Sequence, residues 1–216
     1  MNPSPLRRRL IVATGAATLA LPAWAQTRTV LPSMTDGPFY PPASWRKRWD
    51  DWDTDLTATR RGASTLMAKG EYLGLDLSVA DRKGKVIDQA EVEIWQCDAL
   101  SSYRHPRVND PPEKMDEGFQ GYGAARSGVD GALSYKTIKP VAYPGRTPHI
   151  HVKLRHASFG ELTSQLFVAG DAGNARDSLW RSLSAADQVA AAMKLEAAPA
   201  GSGLRWVVRQ VLVVPA

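Results

Sequence analysis

Four histidines occur in the 216 residues, His105, His149, His151 and His156, and two of them form the run His149-Ile150-His151. On a β-strand, residues two apart project to the same side. Two imidazoles on such a strand make a ready bidentate clamp for a metal ion, while Ile150, Val152 and Leu154 face the other way. The same spacing also suits two surface histidines on a half-exposed strand. What completes the site separates the chemistries. One common two-histidine site needs a glutamate soon after the pair and a later histidine, but Glu161 is too far along and no histidine follows His156. A zinc hydrolase needs a third histidine or a carboxylate. His105 and His156 are candidates, although His156 has the opposite strand parity. A two-histidine, one-carboxylate iron triad lacks an obvious acid. Tyrosines remain: Tyr143, in the turn Pro140-Val141-Ala142-Tyr143-Pro144 just before the histidine strand, and Tyr103, in a long loop.

The elements that must position these groups read as strands. Leu73, Leu75, Leu77 and Val79 alternate with polar or small residues, a period of two. From Glu91 to Cys97 the alternation puts Val92 and Ile94 on one face and Glu91, Glu93 and Trp95 on the other. Further strands are expected at Leu133 to Ile138, His149 to Leu154, Leu162 to Val168 and Trp206 to Val214, the last apolar on both faces as in a central strand. A helix is expected at Ser184 to Ala197, N-capped by Ser184, and a shorter one over Ala175 to Leu183. The sum is an all-β fold, a β-sandwich with long loops and one or two short helices, spanning 63–216. Residues 26–62, rich in Pro and Trp, read as an irregular N-terminal arm, with Trp45, Trp49 and Trp52 as packing anchors. Asp50, Asp51, Asp53 and Asp55 lack the glycine and terminal glutamate of a calcium loop and read as a solvated turn.

Ahead of the arm, residues 1–25 carry the pattern of a cleaved signal peptide. Arg7-Arg8-Arg9 precede an apolar run from Leu10 to Leu21, too short to span a bilayer, and Ala23-Trp24-Ala25 forms a cleavage site. The paired arginines suggest twin-arginine export, with Leu6 in place of the usual Ser or Thr leaving the Sec route open. The expected location is periplasmic or secreted, with no stable membrane anchor. The single Cys97 excludes an intrachain disulfide framework and a cysteine-rich metal site. The formal charge of +5 falls close to balance once Arg7, Arg8 and Arg9 are removed, and no basic stripe is left to bind nucleic acid.

Five collinear pieces then carry a resemblance. They are Asp36-Gly37-Pro38-Phe39-Tyr40; Ile94 to Ala99 with Tyr103-Arg104-His105; Thr137 to Pro140 with Tyr143-Pro144; Arg146-Thr147-Pro148-His149-Ile150-His151; and Leu162 to Leu166. Together, from about Thr35 to Asp177, they resemble the intradiol ring-cleavage dioxygenases, most closely the protocatechuate 3,4-dioxygenase branch. The resemblance implies a mononuclear non-haem Fe(III) held by Tyr103, Tyr143, His149 and His151. It implies Arg146 and Gln165 as catalytic residues, Arg146 stabilising charge on the ring. Gly37 and Pro38 would line the substrate pocket, their own subunit's or that of a neighbour in a homo-oligomer. The implied substrates are a catechol-type molecule and O₂, and the product is a cis,cis-muconate-type diacid. Hard ferric iron suits phenolate oxygen, and coordination to a trivalent ion deprotonates a tyrosine. Gly145 stands where that branch carries a bulky aromatic, and only Pro144 and Gly145 separate Tyr143 from Arg146. These departures touch pocket shape rather than ligation. The competing reading is an exported β-sandwich binding module for a small molecule or carbohydrate, without catalysis.

Overall fold

The computed structural model describes residues 28–47 and 52–216. The export segment 1–25, together with Trp49, Asp50 and Asp51, lies outside the described residues. The described chain is mostly strand, with few short helices. A helical turn α1 (Ala43–Arg46) leads to a hairpin of β1 (Ala58–Arg61) and β2 (Ser64–Met67). Two open sheets follow. The first takes β3 (Tyr72–Asp81), β6 (Ala132–Ile138), β10 (Glu196–Ala197) and β11 (Trp206–Val214), in the order β10-β11-β3-β6. The second takes β4 (Glu91–Trp95), β5 (Tyr122–Arg126), β7 (His149–His156), β8 (Gly160–Val168) and β9 (Ala192–Met193), in the order β5-β4-β7-β8-β9.

The period-two pattern decides the core. Leu73, Leu75, Leu77 and Val79 of β3 meet Val92 and Ile94 of β4 and Ile150, Val152 and Leu154 of β7 in a single buried cluster, joined by Val208 and Leu212 of β11. Both sheets turn an apolar face to this cluster, an arrangement consistent with the sandwich expected. Each Leu, Ile or Val so buried contributes about 1.5–3 kcal/mol relative to exposure.

Three expectations need correction. The helix α3 covers only Ala185–Ala191, not Ser184 to Ala197; Ser184 is its N-cap, accepting a hydrogen bond from the Asp187 amide. The remainder is strand, because Ala192–Met193 pairs with Phe167–Val168 and Glu196–Ala197 with β11. The arm, read as irregular to residue 62, contains α1 and all of β1. β11 is also not apolar on both faces, since Arg209 and Val211 are exposed.

The arm is fastened by charge. Glu93 projects from the face of β4 opposite the core, yet it is almost fully buried. It accepts hydrogen bonds from Tyr40 Oη (2.6 Å) and Arg46 Nη1 (2.8 Å), and Arg155 Nη1 stands 3.1 Å away. Burial alone would raise its carboxyl; hydrogen bonds from Tyr40 and Tyr122 and the charges of Arg155 and Arg46 override it and hold it below the ordinary value. Further along, buried Lys153 donates to Asp36 Oδ2 (2.6 Å) and lies over the Tyr40 ring at 4.1 Å. Glu93→Gln takes the carboxylate from Arg46, while Arg155 keeps Glu91 (3.0 Å) and Glu161 (2.7 Å). We expect it to destabilise the fold by about 1–3 kcal/mol in urea unfolding, between an exposed and a fully buried pair, since Glu93 is buried but its partners are partly exposed. In the wild type this contribution is complete above the ordinary glutamate value of 4.5 and fades as pH falls through the lower folded value. The stability difference between Glu93→Gln and wild type should therefore shrink on acidification below that point.

Candidate metal centre

β7 places His149 and His151 on the face away from the main core, as the alternation requires, with both rings about 2% exposed. Strand register fills in the row around His151: Trp95 of β4 lies directly opposite on one side and Gln165 of β8 on the other. Trp95 stacks on the His151 ring with centroids 4.7 Å apart and planes within 9°.

Tyr103 comes from the loop after β4. The Asp98 carboxylate shapes that loop by accepting the backbone N–H of Leu100 (2.8 Å), Ser102 (2.9 Å) and Asp116 (2.7 Å). Phe39 of the arm stacks on Tyr103 at 4.5 Å, which leaves Tyr103 only 4% exposed. Tyr143 and Arg146 are the ends of a tight turn, in which the Arg146 amide donates to the Tyr143 carbonyl at 2.9 Å. Pro144 fixes the first central position and Gly145, at φ +83°, supplies the left-handed second, the signature of a type II turn. The short Tyr143–Arg146 spacing thus has a defined consequence: it brings a phenol and a guanidinium to one edge of the site, with Arg146 Nη1 3.4 Å from Tyr143 Oη.

The four rings close on one another. Tyr103 lies 5.7 Å from Tyr143, Tyr143 5.5 Å from His149, His149 4.9 Å from His151 and His151 6.4 Å from Tyr103, centroid to centroid. Their polar atoms await a partner. His149 Nδ1 lies 2.6 Å from the Thr147 carbonyl and must donate to it, so Nε2 carries a bare lone pair. That Nε2, His151 Nδ1 and the Tyr103 hydroxyl are all buried without a hydrogen bond. Burial, then the Arg146 charge, holds His149 down at about 4. Burial and the neighbouring His149 and Arg146 hold His151 well below its ordinary value. Both imidazoles are therefore neutral at pH 7, the form that binds metals. Burial raises both phenols, Tyr103 well above the ordinary value with Tyr143 beside it adding to the shift, so neither ionises unaided. Two neutral imidazoles and two buried phenols can together hold a metal ion, and phenolate oxygen favours a hard, highly charged one. Among the described residues, no group of three or more His, Cys, Asp or Glu converges to hold a metal, so a triad built on a carboxylate has no basis there.

Arg146 reaches three partners. Nε donates to Asp177 Oδ2 at 2.8 Å, Nη2 to Gln165 Oε1, and Nη1 points to Tyr143. Gly37, at φ +72°, passes so close to the site that a Cβ there would sit 3.3 Å from His151 Cε1. The chain's own arm, with Gly37, covers the centre from that side. A cleft of about 310 Å³ opens beside Tyr143, Gly145, Arg146 and Arg176. A larger one, about 470 Å³, lies under the loop that carries Arg104, His105 and Met115, but none of the four rings borders it. His105 is buried elsewhere, its Nδ1 accepting from the Arg107 amide, and His156 Nδ1 pairs with Ser158. Neither joins the site.

Sequence reasoning missed Asp177, Trp95 and Phe39 as parts of the site. Trp95 was readable from its parity with Glu93, and Asp177 from its place as an N-cap before Ser178-Leu179-Trp180, but neither pattern says what the group faces.

An all-β domain brings two tyrosines and two histidines to one point, with an arginine at its edge, a donor set able to hold a metal ion. The comparisons name the family. The model for the dioxygenase family matches residues 47–210. The protocatechuate 3,4-dioxygenase beta chain of Burkholderia cepacia is 31% identical over 166 residues, covering 71% of this chain and 68% of that one. A catechol 1,2-dioxygenase of Pseudomonas sp. (strain EST1001) is 30% identical over 157 residues, covering 65% of this chain and 47% of that one, so the chain spans about half of that relative's length. The dioxygenase domain of a carbohydrate-binding fusion protein from Streptomyces sp. SirexAA-E superposes with a TM-score of 0.62 at 25% identity, covering 87% of this chain and 99% of that domain. This chain belongs to the intradiol ring-cleavage dioxygenases.

Proposed function

We propose that the protein cleaves a catechol-type ring between its two hydroxylated carbons with O₂, giving a cis,cis-muconate-type diacid, after export to the periplasm or the medium. The observation that carries this reading is the closed circuit of four rings with unpartnered buried donor atoms. Tyr103, Tyr143, His149 and His151 would hold a mononuclear Fe(III). When bound, that ion supplies the charge that ionises the phenols and makes a chelated catecholate reactive toward O₂.

The chain's own residues do the rest. Thr147 fixes the His149 tautomer through its carbonyl. Phe39 and Trp95 pack Tyr103 and His151 in place and keep water off them. Tyr143, half-buried and bordering the 310 Å³ cleft, is the phenol that an entering catechol meets first. Arg146 and Gln165 stand where negative charge on the ring would build, and a fixed guanidinium suits that task.

One preparation tests the whole reading. Protein recovered from the periplasm or the medium should begin at Gln26, contain one iron, and absorb in the visible as an iron tyrosinate. Anaerobic catechol or 3,4-dihydroxybenzoate should shift that band, and admitting O₂ should release the ring-opened diacid. A protein that stays colourless after Fe(III) is supplied would overturn the assignment.

A further inference from the structure

Asp177 lies 31 residues beyond Arg146 in sequence, at the start of α2 (Ser178–Ser182). It is 1% exposed, and each of its oxygens has a separate task. Oδ1 accepts the backbone N–H of Leu179 (2.9 Å) and Trp180 (3.1 Å), which caps the helix. Oδ2 accepts Arg146 Nε (2.8 Å) and the Thr147 N–H (2.9 Å). The second pair is the informative one. A guanidinium has one Nε–H and two terminal nitrogens in a rigid plane. Once Nε is pinned from behind, Nη1 and Nη2 can only point forward, and here they reach Tyr143 and Gln165. The Thr147 N–H held by the same oxygen belongs to the residue whose carbonyl orients His149. The Asp177 amide donates to the Gly173 and Asn174 carbonyls (3.2 Å each), and the Asn174 side chain is itself fixed, donating to the Val168 carbonyl and accepting from Thr147 Oγ1.

We propose that Asp177 is a positioning residue for the reaction, fixing the plane of the Arg146 guanidinium against Tyr143 and Gln165 while touching neither substrate nor metal. The inference rests on the reading of Arg146 as the group that stabilises charge on the ring.

D177N separates positioning from capping. Asn is as good an N-cap as Asp, so its oxygen still caps α2. Its amide nitrogen, however, turns a donor toward two donors, Arg146 Nε–H and Thr147 N–H. A misplacement of about 1 Å costs on the order of 100-fold in rate. The expected result is a fall in kcat of about 10- to 100-fold with iron content and visible band close to wild type, alongside a lowered urea midpoint from the broken buried pair. In an R146Q background the same substitution should cost less than about twofold, because there is no guanidinium left to aim. A readout independent of turnover is the ¹⁵N NMR signal of Arg146 Nε–H in protein loaded with diamagnetic Ga(III), assigned by its absence from R146Q. It should exchange slowly in wild type and rapidly in D177N. Full activity in D177N, or a loss that repeats in the R146Q background, would overturn the proposal. Should D177N not fold, D177E keeps the charge, displaces it by one methylene, and is held to the same two comparisons. If the wild type opens no catechol ring, the functional reading fails, while the exchange measurement still reports on the contact.

Discussion

Replacing Tyr143 by Phe is expected to lower kcat by about 10²- to 10⁴-fold, the range for loss of a positioned proton-transfer group, and to remove about half of the visible tyrosinate absorption. On the proposed ligation, a catechol would arrive with two phenolic protons and have to shed both to sit against a trivalent cation. The base that meets it is set by exposure. Tyr103 is buried and clamped under Phe39, whereas Tyr143 is half-buried, borders the cleft and sits on a four-residue turn. With the ion bound, Tyr143 would be the phenolate placed to take one of those protons, and Arg146 Nη1, 3.4 Å from its oxygen, would donate to it. Phe fills the same space and takes no proton. Stopped-flow mixing of the anaerobic variant with catechol, followed by O₂, checks both halves of the expectation. A variant with unchanged kcat and an unchanged spectrum would show that Tyr143 is neither ligand nor base. A binding module, or a site using the histidines with some other donor, would be indifferent to the change.

R146Q should cost about 10²- to 10³-fold in kcat, as removal of one preorganised charge-stabilising donor does elsewhere, while the protein retains its iron. The two effects come apart because the guanidinium stands beside the donor ring circuit and contributes no ligand to it. Gln can restore one hydrogen bond to Gln165 or to Tyr143, but it carries no charge and cannot satisfy Asp177, Gln165 and Tyr143 together. The anaerobic catechol complex should therefore still form, with its spectral shift, and then react slowly with O₂. If iron content fell along with activity, Arg146 would be holding the site together rather than acting on the ring.

Much of this was legible before any coordinates. Period-two alternation put His149 and His151 together and separated them from Ile150, because parity on a strand is a local property. It also placed Trp95 with Glu93 rather than with Ile94. What stayed hidden was whatever depends on a partner far along the chain. Glu93 reads as an outward polar residue; only the docking of Tyr40 and Arg46, about 50 positions earlier, buries it. Gln165 was expected through the resemblance, but its place directly across from His151 is a matter of β7–β8 register. Asp177 carries the pattern of an N-cap, and nothing in that pattern discloses that the other oxygen holds an arginine. The helix expected to run to Ala197 stops at Ala191, because pairing with β8 and β11 outweighs the helix propensity of an alanine-rich segment.

The arm has a consequence for the order of events during synthesis. Asp36, next to the glycine that covers His151, is held by Lys153 and Thr163, residues 117 and 127 positions later. β3 is zipped along its whole length to β11, which ends at Val214. The arm thus finds its first partners early, in Arg82, Glu93 and Tyr103, but Asp36 waits for β7 and β8, and the Leu31 amide for the Val213 carbonyl (2.9 Å) near the end of β11. Such long-range closures make folding slow, and a half-made chain has neither the lid over His151 nor a finished first sheet. On the proposed ligation, the four rings and the cover over His151 come together only in the finished chain, so metal could be retained only after the late strands have paired.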